Sequence, residues 1–255
     1  MRRLPDAVMV TVFAALTVLT LGDFPLPAKI AGGGTIEALS VLAAALVSLS
    51  VAAALRDVPE ARGPWLLFAV GLLCFAAGEA GDIGYELPGV VRPVPAPPDL
   101  AYLVGYAALF AALCRFVASY WRHFPVSSRR ELGIIIAASV AALALLGATV
   151  VRPLLERPMA PMARAYLVGF AALDVALLSP MVLLVRAAFA FRGGPVARAW
   201  VVLLCGFAMM QVADLLFSLS PLLAGTPYYW LDQVGYVASY LLLLKGTLLH
   251  RALVR

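Results

Sequence analysis

The chain has 255 residues, of which 64% are hydrophobic and 13% charged, with a mean hydropathy of +0.97. A soluble domain carries about 25% charged residues, so this composition excludes an ordinary soluble enzyme and indicates an all-α integral membrane protein. The net charge of +5 requires no nucleic-acid partner, because Lys and Arg in short loops beside anionic membrane lipid account for it.

Spanning a bilayer takes about 20 apolar residues. Stretches of that kind fall, in chain order, at 7–27, 35–55, 64–85, 99–121, 132–151, 165–187, 199–219 and 229–250. The expectation is eight transmembrane helices. The first follows Met1-Arg2-Arg3 and could be read as a signal peptide, but cutting it would remove one member of a repeated set, so it is read as an uncut helix. The sixth is interrupted by Asp174 and Pro180 and is retained because of its place in that set. Between the third and fourth lies a proline-rich segment, Gly81 to Pro98, which reads as a stiff cap with little regular structure.

The set is a duplication. Trp65, Gly71 and Glu79 are matched by Trp200, Gly206 and Asp214 at an offset of 135, and Val104-Gly105-Tyr106 and Arg115 by Val234-Gly235-Tyr236 and Lys245 at an offset of 130. Two tandem four-helix repeats, 1–127 and 128–255, then form one membrane domain. Four helices per copy bring the second unit into the membrane in the same direction as the first, so the repeats are parallel and not inverted.

Basic residues set the orientation, since Lys and Arg are retained on the cytoplasmic side. Arg2, Arg3, Arg56, Arg62, Arg122, Arg129, Arg130, Arg192, Arg198, Arg251 and Arg255 fall on one side. Lys29, Arg92, Arg152, Arg157 and Arg164 fall on the other. Both termini are expected in the cytoplasm of a cell with this protein in its inner membrane.

With that topology the acidic residues converge on the outer half of the bundle: Glu37, Glu79, Asp82, Asp99, Asp174, Asp214 and Asp232. An ionised carboxylate facing lipid costs about 2.5–3.5 kcal/mol at a helix centre on insertion scales, so such groups face the interior, pair, or take up a proton. Helical spacing puts Asp99, Tyr102 and Tyr106 on one stripe and Asp232, Tyr236 and Tyr240 on another. The expected site is an outward-facing acidic-aromatic pocket formed by Glu79, Asp82, Asp99, Tyr102, Tyr106, Asp174, Asp214, Asp232 and Tyr236. It would take a small cationic or amphipathic ligand through charge and ring-face contacts. The plainer alternative is that the tyrosines form an interfacial belt and the acids at helix ends touch water.

Arg115 and Lys245 form a repeat-related basic pair near the inner leaflet, where long side chains snorkel to the interface or meet a lipid phosphate. His123 and His250 lie at helix ends, which argues against haem held within the membrane. Lys245 has no nearby acid on its helix to support a retinal Schiff base. Cys74, Cys114 and Cys205 lie inside apolar helices without CxxC spacing and read as packing residues. The chain carries no Walker loop, zincin motif, nucleophile elbow or dinucleotide fingerprint, so neither a metal, a cofactor nor an enzymatic activity is expected.

The segment Pro95-Ala96-Pro97-Pro98-Asp99-Leu100-Ala101-Tyr102-Leu103-Val104-Gly105-Tyr106, preceded by Trp65 and by Gly78-Glu79-Ala80-Gly81-Asp82, resembles the multi-helix N-terminal membrane regions of bacterial signalling proteins. In that family such regions lead into diguanylate cyclase, phosphodiesterase or histidine kinase output domains. The resemblance covers the third and fourth helices well and the seventh and eighth weakly. It implies a sensor region. Because the sequence stops five residues after His250, that sensor would be truncated, or would pass its signal to a separate cytoplasmic output protein.

The sequence therefore points first to a non-enzymatic membrane sensor or ligand-binding module. The alternatives are a structural or assembly subunit of a larger membrane complex and a small cation- or proton-coupled transporter. The orientation is directly testable. In a background lacking the three native cysteines, Pro95→Cys should react with an impermeant maleimide added outside intact cells, and Ser128→Cys should not. Labelling of Ser128→Cys alone would reverse the topology.

Overall fold

A computed structural model describes residues 3–85, 90–93, 95–123, 133, 136–137, 140–141, 144, 147–148, 152–156, 160–190, 194–223 and 231–254. Among them the ordered elements are helices: α1 (Arg3–Leu21), α2 (Leu26–Ala54), α3 (Pro59–Tyr85), α4 (Pro97–His123), α5 (Arg152–Glu156), α6 (Pro161–Ala190), α7 (Pro195–Leu223) and α8 (Leu231–Arg251). α3, α4, α6 and α7 each open on a proline. At the first helical position its missing N–H is one that no intrahelical acceptor would satisfy, and its fixed φ already suits the helix.

Among the described residues five helices are long and apolar enough to cross a membrane: α2, α3, α4 over Pro97–Trp121, α6 over Arg164–Arg186, and α7 over Pro195–Phe217. They account for the spans expected at 35–55, 64–85, 99–121, 165–187 and 199–219. α2 begins at Leu26, well before the expected start, because Pro25 and Pro27 suit a helix N-terminus and the following Gly-rich turn packs against neighbours. α1 is a shorter apolar helix, and it ends at Leu21, six residues before the expected boundary. The span expected at 132–151 lies largely outside the described residues.

The long helices close into a ring in the order α2, α3, α4, α6, α7, α8 and back to α2, with α1 against the α2–α8 seam. Large side chains fill the middle. Trp65, Phe68, Leu72, Phe75, Leu109, Leu113, Leu177, Leu184, Leu203, Phe207 and Leu243 are all buried. Phe68 of α3 meets Phe207 of α7 edge to face, with ring centroids 5.8 Å apart. The outer faces carry exposed aliphatics such as Leu39, Leu46, Leu100 and Val201, which suits contact with lipid. Two buried hydroxyls are satisfied within their own helices: Ser48 Oγ donates to the Ala44 carbonyl at 2.7 Å and Thr247 Oγ1 to the Leu243 carbonyl at 2.7 Å. That local bonding keeps polar groups tolerable in an apolar layer.

Two helix pairs approach closely through glycine. A Cβ built on Gly71 of α3 would stand 2.6 Å from Leu109 Cγ and 3.0 Å from the Gly105 carbonyl of α4. On α8, a Cβ at Gly246 would stand 2.9 Å from the Leu203 backbone nitrogen of α7. Small residues here let backbones touch, the packing mode that serves where lipid is as apolar as the side chains.

Gly71→Ala should therefore force α3 and α4 apart and destabilise the bundle by about 1–3 kcal/mol. Gly84→Ala, where a Cβ meets nothing within 4 Å, should be neutral or stabilising by up to about 1 kcal/mol. Thermal unfolding in detergent compares the two, and equal midpoints would contradict the close approach.

Candidate functional site

Glu37, Glu79, Asp174 and Asp214 form two clusters inside the bundle, each completed by tyrosines from other helices. In the first, Glu79 of α3 is buried and accepts a hydrogen bond from Tyr240 Oη of α8 at 2.6 Å. Glu37 of α2, also buried, and Tyr102 of α4 lie within hydrogen-bonding reach of Glu79. Gly78 makes room for Tyr102, since a Cβ there would stand 2.6 Å from the ring.

In the second cluster Tyr106 Oη of α4 donates to Asp174 Oδ1 of α6 at 2.7 Å and approaches Asp214 Oδ2 of α7 at 3.4 Å. Tyr236 Oη of α8 donates to Asp214 Oδ1 at 2.7 Å, and Gln211 Nε2 of α7 reaches Asp174 at 3.4 Å. Asp174 and Asp214 are themselves within hydrogen-bonding reach of each other. An ionised carboxylate only accepts hydrogen bonds, so a direct bond between two of them requires a proton on one.

Asp82 and Asp99 belong to a different arrangement at one end of the bundle. Arg92, from the segment before α4, donates through Nε to Asp82 Oδ1 at 3.0 Å and through Nη2 to Asp99 Oδ1 at 2.5 Å. Asp99 also accepts the Ala96 N–H at 2.5 Å, which fastens the start of α4. Burial alone would lower the Arg92 pKa, but the two carboxylates outweigh it and hold the guanidinium above its ordinary range. Tyr166 of α6 completes this end within hydrogen-bonding reach of Asp99.

The structure thus brings together Glu79 and Tyr102 in one cluster and Tyr106, Asp174, Asp214 and Tyr236 in the other. It ties Asp82 and Asp99 to Arg92 and leaves Asp232 at the α8 start, where Oδ1 accepts the Gln233 N–H at 2.9 Å. Arg115 and Lys245 are not brought together. Arg115 is exposed on α4, whereas Lys245 pairs with Asp6 of α1. Glu37, Tyr240, Arg92 and Gln211 complete the clusters without having been among the expected site residues. Tyr240 follows Tyr236 by one turn, which was the available signal for it. Arg92 sits in an irregular segment with no periodicity to place it.

The opposite end of the bundle is aromatic. Trp65 and Trp200 both stand against Phe116, with centroids 5.3 and 5.0 Å away, and both face the His250 imidazole, at 4.7 and 6.4 Å. Trp200 Nε1 donates to Tyr120 Oη at 2.7 Å. Among the described residues no group of three or more His, Cys, Asp or Glu is arranged to hold a metal ion.

No protein-family model matches the chain, and no curated protein or solved structure matches it either.

The Tyr240–Glu79 bond joins α8 to α3 across the ring, and its loss is measurable. Tyr240→Phe should remove the 2.6 Å donor from the buried carboxylate and lower stability by about 1–3 kcal/mol. Tyr85→Phe, outside both clusters, should leave the unfolding midpoint where it is. Equal midpoints for Tyr240→Phe and the parent would show that the bond contributes nothing.

Proposed function

We propose that the chain is a non-enzymatic membrane sensor or ligand-binding module whose responsive element is the pair of carboxylate–tyrosine clusters. The observation that carries this reading is that the tyrosines cross between halves. Tyr240, from the second half, holds Glu79 of the first, and Tyr106, from the first half, holds Asp174 of the second. A ligand or proton that changes the charge of these carboxylates acts directly on the seam between the halves. α3, α7 and α8 run from that seam to the Trp65–His250–Trp200 end, which gives the change a rigid path along the bundle.

On this reading the chain is an eight-helix duplication with parallel repeats, held in the inner membrane with both termini in the cytoplasm. Exchanging α2, α3 and α4 for α6, α7 and α8 leaves the order of packing around the ring unchanged, which supports the duplication. The clusters support it residue by residue. Glu37 answers to Asp174, Glu79 to Asp214, Tyr102 to Tyr236 and Tyr106 to Tyr240, at offsets of 137, 135, 134 and 134. Equivalence by role therefore moves the last helix by about one turn from the register of 130 suggested by Val-Gly-Tyr. The resemblance to bacterial signalling regions favours a separate or attached cytoplasmic output protein as the partner, with membrane lipid around the bundle.

The test is thermal stability in detergent from pH 5 to 8, with and without small organic cations. Asp214→Asn should change the pH response or the cation response while preserving the fold, because amide and acid are nearly isosteric. Asp214→Leu should cost more, by stranding the Tyr236 hydroxyl at about 1–3 kcal/mol. Identical curves for the parent and both variants would overturn the sensor reading and favour a structural subunit.

A further inference from the structure

A buried oxygen beside the first cluster has no donor. Gln233 of α8 is 6% exposed, its Oε1 is fully enclosed, and among the described residues no group donates a hydrogen bond to it. Burying an amide oxygen in that state is costly. The backbone nonetheless makes room for it, since a Cβ at Gly33 of α2 would stand 2.4 Å from Oε1.

Helix geometry places this oxygen against the glutamate pair. Gly33 faces Gln233 of α8, and Gly34 faces α3, where a Cβ would stand 2.8 Å from Ile83 Cγ1. Glu37 lies one turn beyond Gly33 on α2, and Glu79 one turn from Ile83 on α3. Helical side chains lean toward the N-terminus of their own helix, which carries the Glu37 carboxyl back over the Gly33 turn, where the Gln233 amide sits. Tyr240, two turns beyond Gln233 on α8, donates to Glu79. Gln233 Oε1 thus points into the Glu37–Glu79 pair from the side opposite Tyr240.

Charge and donor count define what fits there. Glu37 and Glu79 lie within hydrogen-bonding reach of each other, which requires a proton on one of them and leaves the pair a single negative charge. A proton engaged between the carboxyls does not serve Gln233 Oε1, and the Tyr240 hydroxyl is committed to Glu79. Lys29, one turn before Gly33 on α2, donates instead to the Thr20 carbonyl of α1 at 3.0 Å. The result is a set of oxygens with one net negative charge, the donor type that hard cations select. A divalent ion would leave an unbalanced positive charge in an apolar layer, which is costly.

Deepening the sensor reading, on which this rests, we infer that the first cluster binds one small monovalent metal cation through the carboxyls of Glu37 and Glu79 and the amide oxygen of Gln233. Radiolabelled sodium is the probe. Binding is measured by equilibrium dialysis on the full chain in nanodiscs of neutral lipid, with choline chloride holding the ionic strength and empty nanodiscs subtracted.

The parent chain should bind sodium saturably, one ion per chain. Glu37→Gln, which removes the charge, and Gln233→Met, which keeps the length but removes the oxygen, should each weaken binding by about tenfold or more. Because Gln233 Oε1 has no donor within the fold, Gln233→Met should unfold in sodium-free choline medium at or above the parent midpoint. A lower midpoint would show that the amide is partnered within the fold and would overturn the proposal. Absence of saturable sodium binding, or binding indifferent to Gln233→Met, would overturn it as well. If an Asp214-dependent pH response persisted in any of these cases, the sensor reading would stand while the cation site fell.

Discussion

Carboxylates inside an apolar bundle are the constraint to which the rest of this architecture answers. Removing a charged or strongly polar group from water is costly unless hydrogen bonds replace hydration, and here tyrosine hydroxyls supply those bonds. The donors and acceptors come from different helices: α8 serves α3 and α7, and α4 serves α6 and α7. Satisfaction is thus available only to the assembled ring. An α4 or α8 rotated by one residue, about 100° on a helix of 3.6 residues per turn, would withdraw its tyrosines and leave buried carboxylates without donors, so the polar clusters select one rotation for each helix.

Rotation alone does not fix separation, and the glycine contacts do that. Gly71 and Gly105 bring α3 and α4 to backbone contact, while Gly206 and Gly246 do the same for α7 and α8. These pairs are the most extensively packed in the ring, together with α2 on α3. Tyrosine reach depends on such approach, since a hydroxyl bond of 2.6–2.7 Å tolerates little added distance before it weakens. The aromatic cluster around His250 then closes the other end, where Trp65 and Trp200 share Phe116 as a common neighbour. A bundle held by polar bonds at one level and by large rings at another has two anchors along its axis.

Much of this was legible in the sequence because lipid imposes simple rules on composition. Run length located the helices that became α2, α3, α4, α6 and α7, and the cost of burying charge turned the acids, Glu79, Asp174 and Asp214 among them, away from lipid. Stripe spacing selected Tyr102, Tyr106 and Tyr236. What spacing could not supply was which partner each stripe meets. Asp99 shares a stripe with Tyr102 and Tyr106, yet it turns to Arg92 while the two tyrosines serve different clusters. Positions one turn apart on one helix face different neighbours when the helices cross, and crossing is a tertiary property. The same limit explains Lys245, whose partner Asp6 lies 239 residues away in α1.

The two clusters share a plan but not a stiffness. The first uses glutamates and sits where α2 packs extensively on α3 and α8. The second uses the shorter aspartates, draws in Gln211, and rests on α6, which packs less extensively on α4 and α7. α6 also contains Pro180, less than two turns from Asp174, and an interior proline removes a backbone hydrogen bond and clashes with the preceding turn. A shorter acid needs closer helices to keep the same bonds, while an interior proline works against close approach. Among the described residues this opposition leaves α6 the helix of the ring held least firmly, and the second cluster the one whose bonds depend most on where that helix sits.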